Sequence, residues 1–260
     1  MKFFSKRDVG VLIIGFMVIQ ILLYCLVNHY MFHPVKGRYT FATPGVVDIS
    51  TNETPVAALV MGELPNDNVF LYCHGNAEDI MDAKDRFSLL KDSGGTVVAV
   101  DYPGYGCSDG SPSESACYRN VNRVYDWLVS GKSVNPTNIT VVGFSIGTGP
   151  AIELASKRDV GALVLEAPFL SAPRIVTRIR LFFCDPFQNE RKAGNLKIPC
   201  VVIHGTNDST IPYSQGKRIF DLIPSLHKRF ISVRGAGHDD LIELIGLERY
   251  TQILFSAKDV

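Results

Sequence analysis

The run Thr140-Val141-Val142-Gly143-Phe144-Ser145-Ile146-Gly147, continuing into Thr148-Gly149-Pro150-Ala151, decides the fold. Its apolar and β-branched start reads as the end of a buried strand, and Ile146 to Ser156 reads as the helix that follows. Gly143 and Gly147 flank Ser145 at two positions on either side, the G-x-S-x-G spacing of a sharp strand-to-helix turn. Small residues there let the chain reverse tightly, so the serine hydroxyl projects above a sheet and the helix N-terminus faces the reacting group. So short a pattern also recurs by accident, and its weight depends on what surrounds it.

Outward from this turn the chain alternates short apolar runs with longer helix-like stretches, which is the α/β pattern. Gly45 to Ser50 and Val56 to Met61 read as an opening pair of strands across a polar turn at Thr51-Asn52-Glu53-Thr54. Val69 to Cys73 is a wholly apolar strand ended by His74-Gly75, and Ala77 to Lys91 reads as a helix. The series goes on with a strand at Thr96–Val100, a helix over Ser115 to Val129 and strands at Asn138–Val142, Gly161–Leu165, Cys200–Ile203 and Arg229–Val233. About eight strands result, expected in one mostly parallel sheet flanked by helices. From Pro168 to Asn195 the alternation lapses, over a length too great for an ordinary connection. Arg174, Arg178, Arg180 and Leu181-Phe182-Phe183 lie in it, and they suit either a solvated surface helix or a small cap over a pocket.

A serine hydroxyl attacks an acyl carbon only when a base takes its proton and a third group fixes that base. Asp208 lies in Gly205-Thr206-Asn207-Asp208, just past one strand, and His238 in Gly235-Ala236-Gly237-His238, just past the next. Singly, such an aspartate is most often a helix cap and such a histidine simply exposed. In the order Ser145, Asp208, His238, each beyond the C-terminal end of a strand, they compose a catalytic triad. Asp239, Asp240 and Glu166 are rival acids, ranked lower because the first two adjoin the base and the third follows an earlier strand. A developing oxyanion needs donors, and the backbone N–H groups of Ile146, in the elbow, and Asn76, after His74-Gly75, are the candidates.

Val9 to Val27 carries no charge, and as a helix it would run about 28 Å, close to the ~30 Å of a bilayer's hydrocarbon. The run is longer than the apolar core of a cleaved signal peptide, and no small-residue cleavage site follows. An uncleaved single-pass anchor through residues 9–31 is therefore expected, with Tyr24, Tyr30 and Phe32 available for an interfacial aromatic belt. Lys2, Lys6 and Arg7 precede the span while Lys36 and Arg38 follow it, a bias that places the remainder on the non-cytoplasmic side. Lysine plus arginine and aspartate plus glutamate each number 26, so no basic field invites nucleic acid. The six cysteines show no C-x-x-C spacing, so neither a metal nor a redox motif is suggested; Cys73 and Cys200 read as core residues.

With these residues in view the chain resembles the α/β-hydrolase superfamily, and within it the membrane-anchored, serine-aminopeptidase-like group. The resemblance runs from about Val46 to the C-terminus and rests on five motifs. They are His74-Gly75-Asn76-Ala77, Asp101-Tyr102-Pro103-Gly104-Tyr105-Gly106 with Gly110-Ser111-Pro112-Ser113-Glu114, Gly143 to Gly147, His204-Gly205 with Asp208, and Gly237-His238. It implies an α/β-hydrolase fold with a tether at residues 1–34 and a hydrolase domain at 35–260, carrying a cap-like insertion at about 168–195. Phe144 departs from the glutamine common before the serine in close relatives, a change expected to alter the pocket wall more than the triad. The expected activity is hydrolysis of an acyl ester or thioester, lipid-like or small, with no cofactor. The alternatives are a peptidase or aminopeptidase on the same triad, or a catalytically idle membrane-tethered binding protein.

Overall fold

The computed structural model describes residues 6–50, 54–82, 84–177 and 185–260. Helix α1 (Lys6–Met31) leads into eight strands: β1 (Val46–Asp48), β2 (Ala57–Met61), β3 (Val69–Cys73), β4 (Thr96–Val100), β5 (Ile139–Phe144), β6 (Ala162–Glu166), β7 (Cys200–Gly205) and β8 (Lys228–Val233). They form one sheet in the order β1-β2-β4-β3-β5-β6-β7-β8. The β1–β2 and β2–β4 pairs are antiparallel and all the others parallel. Every residue of β3, β4, β6 and β7 is buried, as continuous Val/Ile/Leu runs require when helices cover both faces. The core accordingly falls into two clusters, one on each face of the sheet.

The helices are α2 (Lys84–Asp92), α3 (Glu114–Asp126), α4 (Thr148–Ala155), α5 (Ala172–Thr177), α6 (Asn189–Ala193), α7 (Tyr213–Leu222), α8 (Leu241–Ile245) and α9 (Leu247–Phe255). Helix α2 starts seven residues later than the apolar spacing from Ala77 suggests. The Asp79 carboxylate accepts the Met81 N–H and the Asp82 carboxylate accepts the Asp79 N–H, so local side-chain turns outcompete the first helical turns. Helix α3 gives way after Asp126 to a wider turn through Trp127–Gly131. In the segment expected to be irregular, α5 and α6 are short, and Arg174 reaches Glu190 at 2.7 Å rather than presenting a free guanidinium. Arg178, Arg180, Leu181, Phe182 and Phe183 lie outside the described residues, as do Thr51, Asn52 and Glu53.

Arg7–Val27 is long and apolar enough to cross a membrane, with mean hydropathy 2.6 and none of it buried against the rest of the chain. Phe32 is not available for an aromatic belt: it is 5% exposed and meets Phe187 edge-on at 6.1 Å. The five described cysteines are free, and burial pushes the Cys200 thiol up to about 12.

Candidate active site

Strands β3 and β5 are neighbours, with Cys73 in register with Gly143, so the loops leaving their C-terminal ends emerge side by side. Ser145 stands in the turn between β5 and α4 with φ +52, in the left-handed region that a nucleophile elbow requires. The two flanking glycines are there for close approach. A Cβ on Gly143 would meet the Gly147 carbonyl oxygen at 2.6 Å, and one on Gly147 would meet the His74 carbonyl oxygen at 2.5 Å. The elbow is thereby pressed against the end of β3, next to Gly75 and Asn76.

Three side chains that the sequence separates by up to 93 positions meet here. His238 Nε2 lies 2.9 Å from Ser145 Oγ, and His238 Nδ1 lies 2.8 Å from Asp208 Oδ2. The carboxylate accepts, so Nδ1 carries the proton and Nε2 presents its lone pair to the serine hydroxyl. Asp208 Oδ1 accepts the Thr210 and Ile211 amides at 2.9 and 2.7 Å, which fixes the carboxyl plane. Burial opposes the charge on Asp208. Hydrogen bonds from His204 and His238, with the Ile211 amide, outweigh it and hold the carboxyl far below the usual carboxylate range. Of the rival acids, Asp240 accepts the Gly237 N–H at 2.6 Å, Asp239 lines the neighbouring cavity, and Glu166 is fully buried beneath it.

Two histidines stand in the sequence motifs without their roles being evident there. His204, 0% exposed at the end of β7, lies 3.3 Å from Asp208 Oδ2 and 2.9 Å from the Ile211 carbonyl oxygen through the same Nε2. Both neighbours are acceptors, so the proton sits on Nε2 and Asp208 is gripped by two imidazoles. The one available signal was a histidine four residues before the acid. His74, 1% exposed, points Nε2 at Asp101 Oδ1 (3.1 Å) and Nδ1 at the Gly75 carbonyl oxygen (2.7 Å), both acceptors. Burial alone would lower its pKa, but the adjacent Asp101 carboxylate, with Glu78, outweighs burial and raises it. Tyr39 donates its hydroxyl to Asp101 from the other side.

A cavity of about 500 Å³ opens beside His238, lined by Asn76, Glu78, Arg86, Phe144, Glu166 and Leu241 among others. Phe144 forms part of this wall and also stacks on the His238 ring at 5.2 Å, so it touches the imidazole as well as the pocket. Glu166 Oε1 accepts the Tyr250 hydroxyl at 2.5 Å, and its Oε2 lies 4.0 Å from Arg86 Nη1. Burial raises the Glu166 carboxyl, partly offset by Arg86. Among the described residues no group of His, Cys, Asp and Glu could hold a metal ion.

Residues 68–182 match the family described as alpha/beta hydrolase fold. The alpha/beta hydrolase domain-containing protein aho-3 of Caenorhabditis elegans is 36% identical over 190 residues, 72% of this chain and 57% of that protein. The chain thus aligns with little more than half the length of that relative. Among solved structures, an alpha-beta hydrolase from Vibrio vulnificus superposes with a TM-score of 0.70 at 19% identity, covering 91% of this chain and 93% of that one. The Pyrococcus furiosus esterase Pf2001 superposes at 0.69 with 18% identity, over 88% and 98%. Sheet order, a serine elbow at the end of β5 and this sequence likeness agree: the chain belongs to the α/β-hydrolase superfamily.

Proposed function

We propose that this chain is a serine hydrolase that cleaves an acyl ester or thioester through a covalent acyl-enzyme. The observation that carries the reading is the unbroken Ser145–His238–Asp208 contact, 2.9 Å and then 2.8 Å. His238 Nε2 takes the Ser145 proton as Oγ bonds to the substrate carbonyl carbon, and the Ile146 and Asn76 N–H groups receive the oxyanion. The imidazolium then protonates the departing alkoxide or thiolate as its bond to the acyl carbon breaks. Water, deprotonated by the same nitrogen, releases the acid and restores the serine. Asp208 holds the imidazole in its reactive tautomer throughout. The esterase-named structural neighbour agrees with this chemistry without naming a substrate.

The remaining assignments belong to the same reading. Residues 1–34 serve as a membrane anchor, 35–260 as the hydrolase domain, and 168–195 as a small cap-like insertion. The lysine and arginine bias across the span favours a non-cytoplasmic catalytic domain. The acidic side chains Glu78 and Asp239 around the cavity favour, as a second reading, a peptidase that binds a free amine. Turnover of acyl esters against aminoacyl anilides separates the two. Ser145→Ala should abolish both p-nitrophenyl butyrate turnover and fluorophosphonate labelling; activity that survives this change overturns the mechanism.

A further inference from the structure

The side chain of Asn76 binds the chain segment that leaves the apolar helix. Its Nδ2 donates to the Met31 carbonyl oxygen at 2.7 Å, and its Oδ1 accepts the His33 N–H at 2.9 Å and the Tyr105 hydroxyl at 2.6 Å. Met31 is the last residue of α1. Phe32, between the two anchoring backbone groups, is buried in the core against Phe187. The next residues stay attached: the Val35 carbonyl accepts the Gly106 N–H at 2.7 Å, Lys36 bridges to Gly106, and Tyr39 reaches Asp101. From Met31 to Tyr39 the chain is thus strapped to the loops that follow β3 and β4, with no slack between helix and domain.

This fixes a height. The apolar stretch ends at Val27 and the contact with Asn76 is made at Met31, four residues on. At ~1.5 Å per helical residue that is about 6 Å. A bilayer's polar layer is roughly 5–8 Å deep on each side of its ~30 Å hydrocarbon core. The backbone that carries the proposed oxyanion donor therefore lies at headgroup depth, where an amphiphile whose acyl chain is in the bilayer places its ester or thioester carbonyl. Resting on the proposed hydrolase reading and on α1 spanning a bilayer, we infer that the exit of the N-terminal helix is a built-in part of this site. It holds the serine at the membrane surface, and the substrates are acyl amphiphiles drawn from the same bilayer. Asn76 is both the bolt for the anchor and a wall of the cavity beside His238. A site meant for water-borne esters has no use for so short a connection, since a loose tether would serve it equally.

The test uses the full chain reconstituted in phosphatidylcholine vesicles, with two substrates measured in the same samples. One is water-soluble p-nitrophenyl butyrate, and the other is a fluorogenic palmitoyl ester dissolved in the bilayer. Four or seven polar helix-forming residues (Glu, Ala, Lys) inserted after Val27 lift the domain by about 6 or 10 Å and keep the helix nearly in phase. Every contact from Met31 onward is left in place. Palmitoyl ester turnover should fall in steps, by at least about tenfold for the longer insertion, because drawing two methylenes out of hydrocarbon already weakens binding that much. Butyrate turnover should stay within about twofold and reports that the domain is folded. The inference is overturned if palmitoyl turnover is unchanged, or if it falls only in step with butyrate. It also fails if the unmodified chain turns over butyrate but not the embedded ester. Turnover of neither substrate by the unmodified chain would instead sink the hydrolase reading itself.

Discussion

Gly147→Ala tests whether the elbow must sit against the end of β3. The new methyl carbon would lie 2.5 Å from the His74 carbonyl oxygen and closer still to that of Cys73, whereas ordinary contact begins at 3.4 Å. The turn must therefore back away by about 0.9 Å or more, because the carbonyl of Cys73, the last residue of a central, fully buried strand, and that of the buried His74 next to it cannot yield. That retreat moves the Ile146 N–H away from Asn76 and shifts Ser145 relative to His238. A misplacement near 1 Å costs roughly 10²-fold in rate, equivalent to about 2.7 kcal/mol of transition-state stabilisation. Overpacking should cost about 1–3 kcal/mol of stability besides. The assay is kcat and KM for p-nitrophenyl butyrate, with melting temperature on the same samples and Gly194→Ala as a control. A methyl at Gly194 has nothing nearer than the Arg191 carbonyl oxygen at 3.7 Å. The expected result is a loss confined to kcat in a protein that still melts cooperatively. A folded Gly147→Ala protein with more than half the native kcat would refute the claim that this contact sets the site.

Two further outcomes follow from buried charge. Asp208→Asn replaces an acceptor by an amide that can donate to His238 Nδ1, favouring the wrong tautomer, and should lower kcat by roughly 10⁴-fold while His204 keeps the loop in place; steady-state kinetics read it, and a loss below tenfold would remove Asp208 from its role. His74 is raised in the folded state, so its pairing with Asp101 contributes stability in full below about pH 6.5 and loses it as pH rises through the folded value. The difference in melting temperature between the native chain and His74→Gln should thus be largest in mild acid and shrink toward alkaline pH; a difference that grows with pH would show that His74 is neutral when folded.

The parts legible in the sequence were those where local backbone demands leave a local trace. The elbow needs small residues around Ser145, β3 and β4 need apolar runs to be buried on both faces, and Asp208 and His238 follow strand ends whose boundaries turn residues mark. What escaped depends on pairs far apart in the chain. Tyr250 caps Glu166 across 84 positions, and Asn76 takes hold of Met31 and His33 across 45 and 43. No periodicity registers such contacts. The apolar spacing overstates helix α2 because Asp79 and Asp82 form turns of their own, and a hydrophobic pattern does not weigh carboxylates against the helical ladder. Phe32 follows the apolar run and so reads as a membrane-facing ring, and only packing reveals the partner it prefers.

The left-handed backbone at Ser145 sets durability against chemistry at a single codon. Holding a side-chain-bearing residue at φ +52 costs of order 1–3 kcal/mol, a debt that glycine would not incur. A Ser145→Gly protein should then be a tougher molecule than its parent, and an inert one. Selection for robustness alone would drift toward a silent scaffold.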